Sequence, residues 1–519
     1  QREMKGVEAE WDAYSGKYKL YTKYDREMSG DDIGVWFKYD TEENEVIEVK
    51  MGVSFVSIEN ARLNMNTEQP DFNFDKVRAA AGRMWNDDLS RVMVEGGTND
   101  DKTIFYTAMY HLLIHPNIIQ DVNGEYPMME SLKVGHTDGN RYTVFSLWDT
   151  YRNVHQLLTL VYPERQMEMV RTMLDMYREH GWLPKWELYG RETLTMEGDP
   201  SIPVIVDTWM KGLRDFDVDL AYEAMYKSAT LPGAKNLMRP DNDDYMSKGY
   251  VPLREQYDNS VSHALEYYIA DFALSRFAEA LGKKKDAEMF YKRSLGYKHY
   301  YSKEFGTFRP ILPDGTFYSP FNPRQGENFE PNPGFHEGSA WNYSFYVPHD
   351  VYGLAKLMGG KNPFIKKLQM VFDEGLYDPA NEPDIAYAHL FSYFRGEEWR
   401  TQKETQRLLD KYFTTKPNGI PGNDDTGTMS AWAIFNMIGF YPDCPGLPEY
   451  TLTTPVFNRV TIRLDPKWYK EKELVIESNR TQPGTLYINK VLLNGKKFNQ
   501  YRITHDELVH SQRILFDLK

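Results

Sequence analysis

From about Phe74 to Gly439 the sequence repeats one theme, a nearly all-apolar, aromatic-rich segment followed by an amphipathic, charged one. Val144 to Val161 then Glu164 to His180 is one such pair; Ser260 to Leu281 then Lys283 to Lys303 is another. A helix apolar all round is packed on every side, whereas one with a single apolar stripe lies at a surface. Breakers such as Pro116, Pro163 and Gly359-Gly360 divide the region into roughly twelve to fourteen helices. Pairs with one buried and one half-exposed member imply an inner and an outer layer, as in a closed helical ring or a solenoid. Periodicity alone leaves both open.

The most informative stretch of this region runs from Pro421 to Phe435. Asp424 and Asp425 follow a Pro-Gly-Asn turn and lead into a helix with almost no polar face, stopped by Gly439 and Pro442. Carboxylates at such a place meet N–H groups that lack intrahelical partners, and the helix dipole favours their charge. One of them serves as an N-cap, but one cap needs one side chain, so the second carboxylate is left over. Three other acidic stretches are placed similarly. Glu337 precedes Gly338-Ser339-Ala340-Trp341, Glu382 stands beside Pro383, a good first helical residue, and Asp149 and Arg152 lie three apart in Ser146-Leu147-Trp148-Asp149-Thr150-Tyr151-Arg152. Taken singly, Glu337 reads as a cap, Glu382 as a helix-terminus charge and Asp149 with Arg152 as an intrahelical ion pair. In a ring of helix pairs all inner helices start at one end, so Glu337, Glu382, Asp424 and Asp425 converge on one mouth. Crowded carboxylates repel unless one is protonated or a cation intervenes, and either outcome is chemically useful. A protonated carboxyl is a general acid; an all-oxygen cluster suits a hard cation such as calcium.

The flanks read differently. Ile33 to Tyr39 and Val46 to Met51 alternate as strands about a turn at Asp40 to Asn44, and β patterning holds to about Met65. Three or four strands make a poor independent sheet, so this is expected to be the tail of a larger β domain that starts upstream. After Tyr450, Arg459 to Leu464, Leu474 to Ser478 and Leu486 to Leu493 return to strands, the last closed by Asn494-Gly495, a strong hairpin turn. Expected units are therefore 1–70, 71–450 and 451–519. At 519 residues the chain can bury a large core. Net charge is −15 and no basic stripe exists, which argues against nucleic acid and anionic membrane as partners. A single cysteine, Cys444, excludes an intramolecular disulfide and any cysteine-based metal site. No apolar run is long enough to span a bilayer. Gln1 does not look like a natural start, so a missing signal peptide is no argument for the cytoplasm. The 37 Tyr and 11 Trp suit a groove that stacks against sugar rings or bases.

Five motifs, in order, carry a resemblance: Phe145 to Arg152, Gly181-Trp182-Leu183-Pro184-Lys185-Trp186, Glu337 to Trp341, Asn381-Glu382-Pro383 and Gly422-Asn423-Asp424-Asp425. Together they look like the signature of the glycoside hydrolase family 92 α-mannosidases, over about Thr103 to Gly446. The resemblance implies a mainly α chain: a β-sandwich, of which 1–70 is the C-terminal part, before an (α/α)6 barrel at 71–450, with a small β appendage at 451–519. It also implies inversion at the anomeric carbon and a calcium ion touching the mannose ring. Glu337 matches the general acid, the Asp424-Asp425 pair holds the base, and Asn381 with Glu382 matches the calcium site. Trp148, Asp149 and Arg152 match residues lining the subsite for the terminal mannose, and Trp182, Lys185 and Trp341 sit in the same motifs as further substrate-binding positions. Thr426 and Thr428 stand where family members often have Cys and Gln, and Asp384-Ile385 where Ser-His is common, so linkage preference does not carry over.

The expected function is thus a calcium-dependent, inverting exo-α-mannosidase acting on glycans, secreted, periplasmic or at the cell surface. Two rivals stand beside it: another (α/α)-barrel glycosidase or sugar phosphorylase, and a glycan-binding protein on an inactive scaffold.

Overall fold

The computed structural model describes residues 39–254, 259–326, 330–480 and 484–519, with the backbone of short strands Trp11–Asp12 and Lys17–Tyr18. It is mainly helical, and the inner and outer members of the helix pairs separate by burial. All eight residues of helix Val154–Val161 and all eleven of helix Thr428–Ile438 are buried. Helix Ser260–Ala280 is buried along nearly its whole length. Its partner Lys284–Ser294 buries only Phe290 and Ser294. Each large apolar side chain withdrawn from water contributes roughly 1.5–3 kcal/mol, so the inner helices supply most of the cohesion. The inner helices are neighbours in space. Thr428–Ile438 packs on Val154–Val161, which packs on Ser201–Met210, which packs on Ser260–Ala280. Among the described residues no helix is long and apolar enough to cross a membrane.

Helix Pro163–His180 begins as read, with Pro163 in its first turn. The expected helix Val144 to Val161 is broken. Val144 has φ 65°, Phe145–Ser146 is a strand, and helical backbone resumes only at Leu147–Thr150 and again at Val154–Val161. That interruption matters for the site, because strand Phe145–Ser146 pairs antiparallel with Trp186–Leu188 and so joins two of the sequence motifs.

The C-terminal strands form as expected, at Arg459–Arg463, Glu473–Arg480 and Ile488–Leu493. Their six-stranded sheet also takes in Lys496–Phe498, Arg513–Leu518 and, on the far edge, Val92–Glu95 from the other end of the chain. Val94 pairs with Val460 and Met93 with Thr461. The β unit is therefore tied by main-chain pairing to the segment between helices Phe74–Leu89 and Asn99–Leu112.

The N-terminal expectation fails in its described part. Val46 to Met51 lies in no strand, and Ile58–Glu68 is a helix capped by Ser57. The alternation is real, but no partner strand pairs with it among the described residues. The companion strand from Ile33 lies, except for Tyr39, outside the described residues. Helix Ile58–Glu68 is held instead by a buried carboxylate: Asp121 accepts hydrogen bonds from Ser54 Oγ (2.6 Å), Asn60 Nδ2 (2.8 Å) and Asn64 Nδ2 (2.6 Å).

Candidate active site

Leu147 N–H donates to the Lys185 carbonyl at 3.1 Å, placing the helical turn Leu147–Thr150 against the loop that ends at Trp186. Asp149 on that turn is buried, and Ser146 Oγ donates to its Oδ2. The expected Asp149–Arg152 ion pair does not form, because the helical turn ends at Thr150. Arg152 turns to the inner helix Ser260–Ala280, where its Nη2 meets Glu266 Oε1 at 2.9 Å. Its guanidinium lies 4.7, 4.8 and 4.9 Å from the ring centres of Trp148, Tyr151 and Tyr346. Tyr151 OH donates to Glu266 Oε2 at 2.6 Å. Burial pushes the Glu266 carboxyl up to about 7, against the pull of Arg152. Sequence reasoning missed Glu266; the available signal was an acid, with Asp271 five residues on, inside an otherwise largely apolar stretch.

Glu337 does not cap the helix Ala340–Tyr343. Ser339 does, in a capping box with Asn342. Glu337 sits just before it with φ 48°, a left-handed conformation that costs energy for a side-chain-bearing residue. Its Oε1 lies 3.6 Å from His336 Nε2, and its carbonyl accepts from Asn381 Nδ2 at 2.7 Å. Asn381 Oδ1 in turn accepts from the Glu382 N–H at 2.9 Å. Glu382 is not at a helix start: residues 381–386 form turns, and the 3-10 helix begins at Tyr387. Asp384, also missed, is fully buried and accepts from Asn342 Nδ2 and the Asp378 N–H, each at 2.9 Å. It ties the Glu337 and Glu382 loops together.

Asp424 is the capping member of its pair. Its Oδ1 accepts from Ser430 N–H (2.9 Å) and Ser430 Oγ (2.8 Å), and its Oδ2 lies 3.7 Å from His111 Nδ1. Asp425, Thr426 and Gly427 all have positive φ (45°, 53° and 96°), a tight left-handed run that swings Asp425 away from the helix axis. At Gly427 an added Cβ would stand 3.2 Å from the Leu112 Cα, so the two helix ends approach as closely as backbone allows. Asp425 is thereby freed from capping, and its carboxyl interacts with that of Glu382.

Asp149, Glu337, Glu382 and Asp425, from four separate segments, thus lie close enough to feel one another electrostatically. Burial pushes Asp149 well above the usual carboxylate range, and the charges of Asp425 and Glu337 add to it. Glu382 rises well above for the same first reason, with Asp149 and Asp425 adding. Asp425 is raised by burial and by Asp424 and Glu337, while its interaction with Glu382 opposes the rise. Burial also raises Asp424, against the bonds from Ser430. Beside them, Lys185 is buried, which lowers its ammonium more than Glu197, Glu192 and Asp199 restore it. Trp341 is buried next to Ser339. Trp182 is the outlier: it lies under the Lys227 ammonium of the outer helix Val218–Thr230, at 4.5 Å, rather than with the carboxylates.

Among the buried polar atoms here that have no hydrogen-bond partner among the described residues are Glu382 Oε1, Asp384 Oδ1, Trp148 Nε1 and Arg152 Nη1. An orphaned carboxylate oxygen among mutually repelling carboxyls fits a hard cation with oxygen ligands. Among the described residues no three His, Cys, Asp or Glu side chains form a ready-made cage. A cation at Asn381 and Glu382 would therefore complete its shell with carbonyls, waters or ligand hydroxyls.

A family model described as glycosyl hydrolase family 92 catalytic domain matches residues 60–519. Among solved structures, a family 92 α-mannosidase of Bacteroides thetaiotaomicron in complex with mannoimidazole superposes with a TM-score of 0.83 at 31% identity, covering 90% of this chain and 62% of that one. A family 92 inverting mannosidase of the same organism gives 0.82 at 31% identity, covering 90% and 65%. An uncharacterized secreted glycosidase of Arthroderma benhamiae is 26% identical over 498 residues, 89% of this chain and 59% of its own length. The chain spans about three fifths of the length of these relatives.

Proposed function

Because the chain belongs to glycoside hydrolase family 92, we propose that it is an exo-acting α-mannosidase that inverts the anomeric centre of terminal mannose. The observation that carries this is that Asp149, Glu337, Glu382 and Asp425, from four separate segments, interact electrostatically; we read the place where they meet as the mouth of the helical layers. We read those layers as an (α/α)6 barrel. In an inverting glycosidase one carboxyl protonates the leaving oxygen while a carboxylate deprotonates a water on the opposite face. Glu337 takes the first role and Asp425 the second. Asp424 is the less suited of the pair, since Ser430 already occupies its Oδ1. Trp148 and Arg152, each with an unsatisfied buried N–H, bind sugar hydroxyls together with Asp149, Lys185 and Trp341. Calcium held by Asn381 and Glu382 would supply positive charge that lets the crowded carboxylates ionise together, and binding positions for sugar hydroxyls. Action outside the cytoplasm fits the secreted relative.

Proton NMR on a panel of α-1,2, α-1,3, α-1,4 and α-1,6 mannobiosides tests the reading. β-Mannose should be the first product from at least one of them. α-Mannose appearing first would refute inversion, turnover that needs phosphate would indicate a phosphorylase, and binding without turnover an inactive scaffold.

A further inference from the structure

Glu337 stands on a stretch with no regular structure, yet general acid catalysis requires its carboxyl within hydrogen-bond reach of one oxygen. Its one polar side-chain contact among the described residues is His336 Nε2, at 3.6 Å. What fixes His336 therefore fixes the acid. The ring is held on every side. Its Nδ1 lies 3.2 Å from Glu197 Oε1 and 3.0 Å from Asn259 Nδ2, Met196 Sδ lies 3.0 Å from its Nε2, and the Trp148 indole meets it edge to face at 6.1 Å. Its backbone is bound too: the N–H donates to Ser262 Oγ at 2.9 Å and the carbonyl accepts from Tyr343 OH at 2.5 Å.

Glu197 is the hub of this arrangement. It is 3% exposed, with Oε1 on His336 and Asn259 and Oε2 2.5 Å from His263 Nε2. Its loop is itself pinned. Gly198 has φ 80°, and an added Cβ there would lie 2.5 Å from Glu266 Cβ, so only glycine lets the loop sit flat on helix Ser260–Ala280. Next in sequence, Asp199 is paired with the buried Arg239 at 2.9 Å. The charged and titratable groups facing the pair are Glu337, His263 and Lys185. Burial alone would raise Glu197, but His263, His336 and Lys185 hold it down at about 2.

We propose that Glu197 is a positioning residue for Glu337, acting through His336. It touches no substrate; it holds the imidazole that aims the acid. The inference rests on the reading of Glu337 as general acid, and its test uses that dependence. A sugar leaving group needs the acid's proton, whereas dinitrophenolate departs without one. Glu197→Gln keeps the shape and removes the charge that grips two imidazoles.

The experiment compares kcat and KM of wild type, Glu197→Gln, His336→Gln and the double variant on a mannobioside and on 2,4-dinitrophenyl α-mannoside, with thermal unfolding recorded for each. Glu197→Gln should lower kcat on the mannobioside by roughly ten- to a hundredfold, part of the 10²–10⁴ a general acid supplies. KM should stay put, and the activated substrate should be little affected. The double variant should lose no more than the worse single one, as residues acting in one unit do. Equal loss on both substrates, no loss on either, or additive losses would overturn the proposal. If Glu197→Gln does not fold, Glu197→Asp, which keeps the charge, and His336→Gln carry the comparison. A wild type that cleaves neither substrate would instead overturn the function itself.

Discussion

His155 joins the first inner helix to its outer partner, and its burial has a measurable cost in acid. Its Nδ1 lies 2.9 Å from Gln166 Oε1 and its Nε2 3.1 Å from Thr150 Oγ1, one residue from Asp149. Gln166 Nε2 donates to Thr208, which fixes the amide so that its oxygen faces the ring; His155 is then neutral with its proton on Nδ1. Burial pulls its pKa down to about 4, and the bond from Gln166 restores only part. Unfolded, the same ring titrates near 6.5. Between those values the unfolded chain binds a proton that the folded one refuses, so stability falls as pH drops from about 6.5 toward 4. At pH 5 the unfolded ring is protonated over neutral by about thirtyfold, a factor the folded state does not share. That corresponds to about 2 kcal/mol. His155→Gln can keep amide hydrogen bonds and does not titrate. Urea unfolding of both proteins at pH 7 and pH 5, followed by tryptophan fluorescence, isolates the term, since His349 and His389, also held near 4 by burial, are common to both. Wild type should lose about 2 kcal/mol more than the variant between the two pH values. Equal losses would show that His155 is not held neutral, and the argument would fail.

Chelation should abolish mannoside hydrolysis, with calcium restoring it better than zinc because Asn381 and Glu382 offer only oxygen; full activity in excess chelator with metal content measured as nil would refute the metal assignment. Asp425→Asn should slow mannobioside and dinitrophenyl mannoside alike by about 10²-fold or more, because water must be deprotonated whichever group leaves. Asp424→Ala, which removes the acceptor of the two Ser430 bonds, should cost about 1 kcal/mol of stability, and denaturant midpoints read it directly. Arg239→Met leaves the buried Asp199 without its ion-pair partner, held now at 2.9 Å, while Asp271 keeps Arg293 at 2.8 Å; the change should cost about 3–5 kcal/mol in unfolding experiments.

How legible the molecule was in its sequence depended on whether the signal was local. The helix at Thr428–Ile438 and the hairpin at Asn494-Gly495 were readable because uniform apolarity and a two-residue turn are local properties. The strand at Val46 to Met51 was a false reading, since alternation describes a face and cannot say whether a partner exists. Strand Val92–Glu95 was overlooked because its four residues gain meaning only beside Arg459–Arg463. At the site, Glu337, Glu382 and Asp425 were found as acids at turns or expected helix starts, and Asp149 inside an aromatic-flanked motif. Their supports were not. Glu197, Glu266 and Asp384 are buried carboxylates whose partners come from distant segments, and no spacing rule reaches those. Arg152 was given the wrong partner, because the three-residue spacing to Asp149 presumes a helix that stops at Thr150.

The pairing of Val92–Glu95 with Arg459–Arg463 sets an order of events on the growing chain. The earlier strand emerges from the ribosome with its edge unpaired and stays so until Arg459–Arg463 has been made. Non-local pairing of this kind is slow, and an exposed strand edge is a point of misassembly. Synthesis that stops before Arg459 would therefore leave strand Val92–Glu95 with nothing to pair against, and proteases and aggregation would act on that edge first.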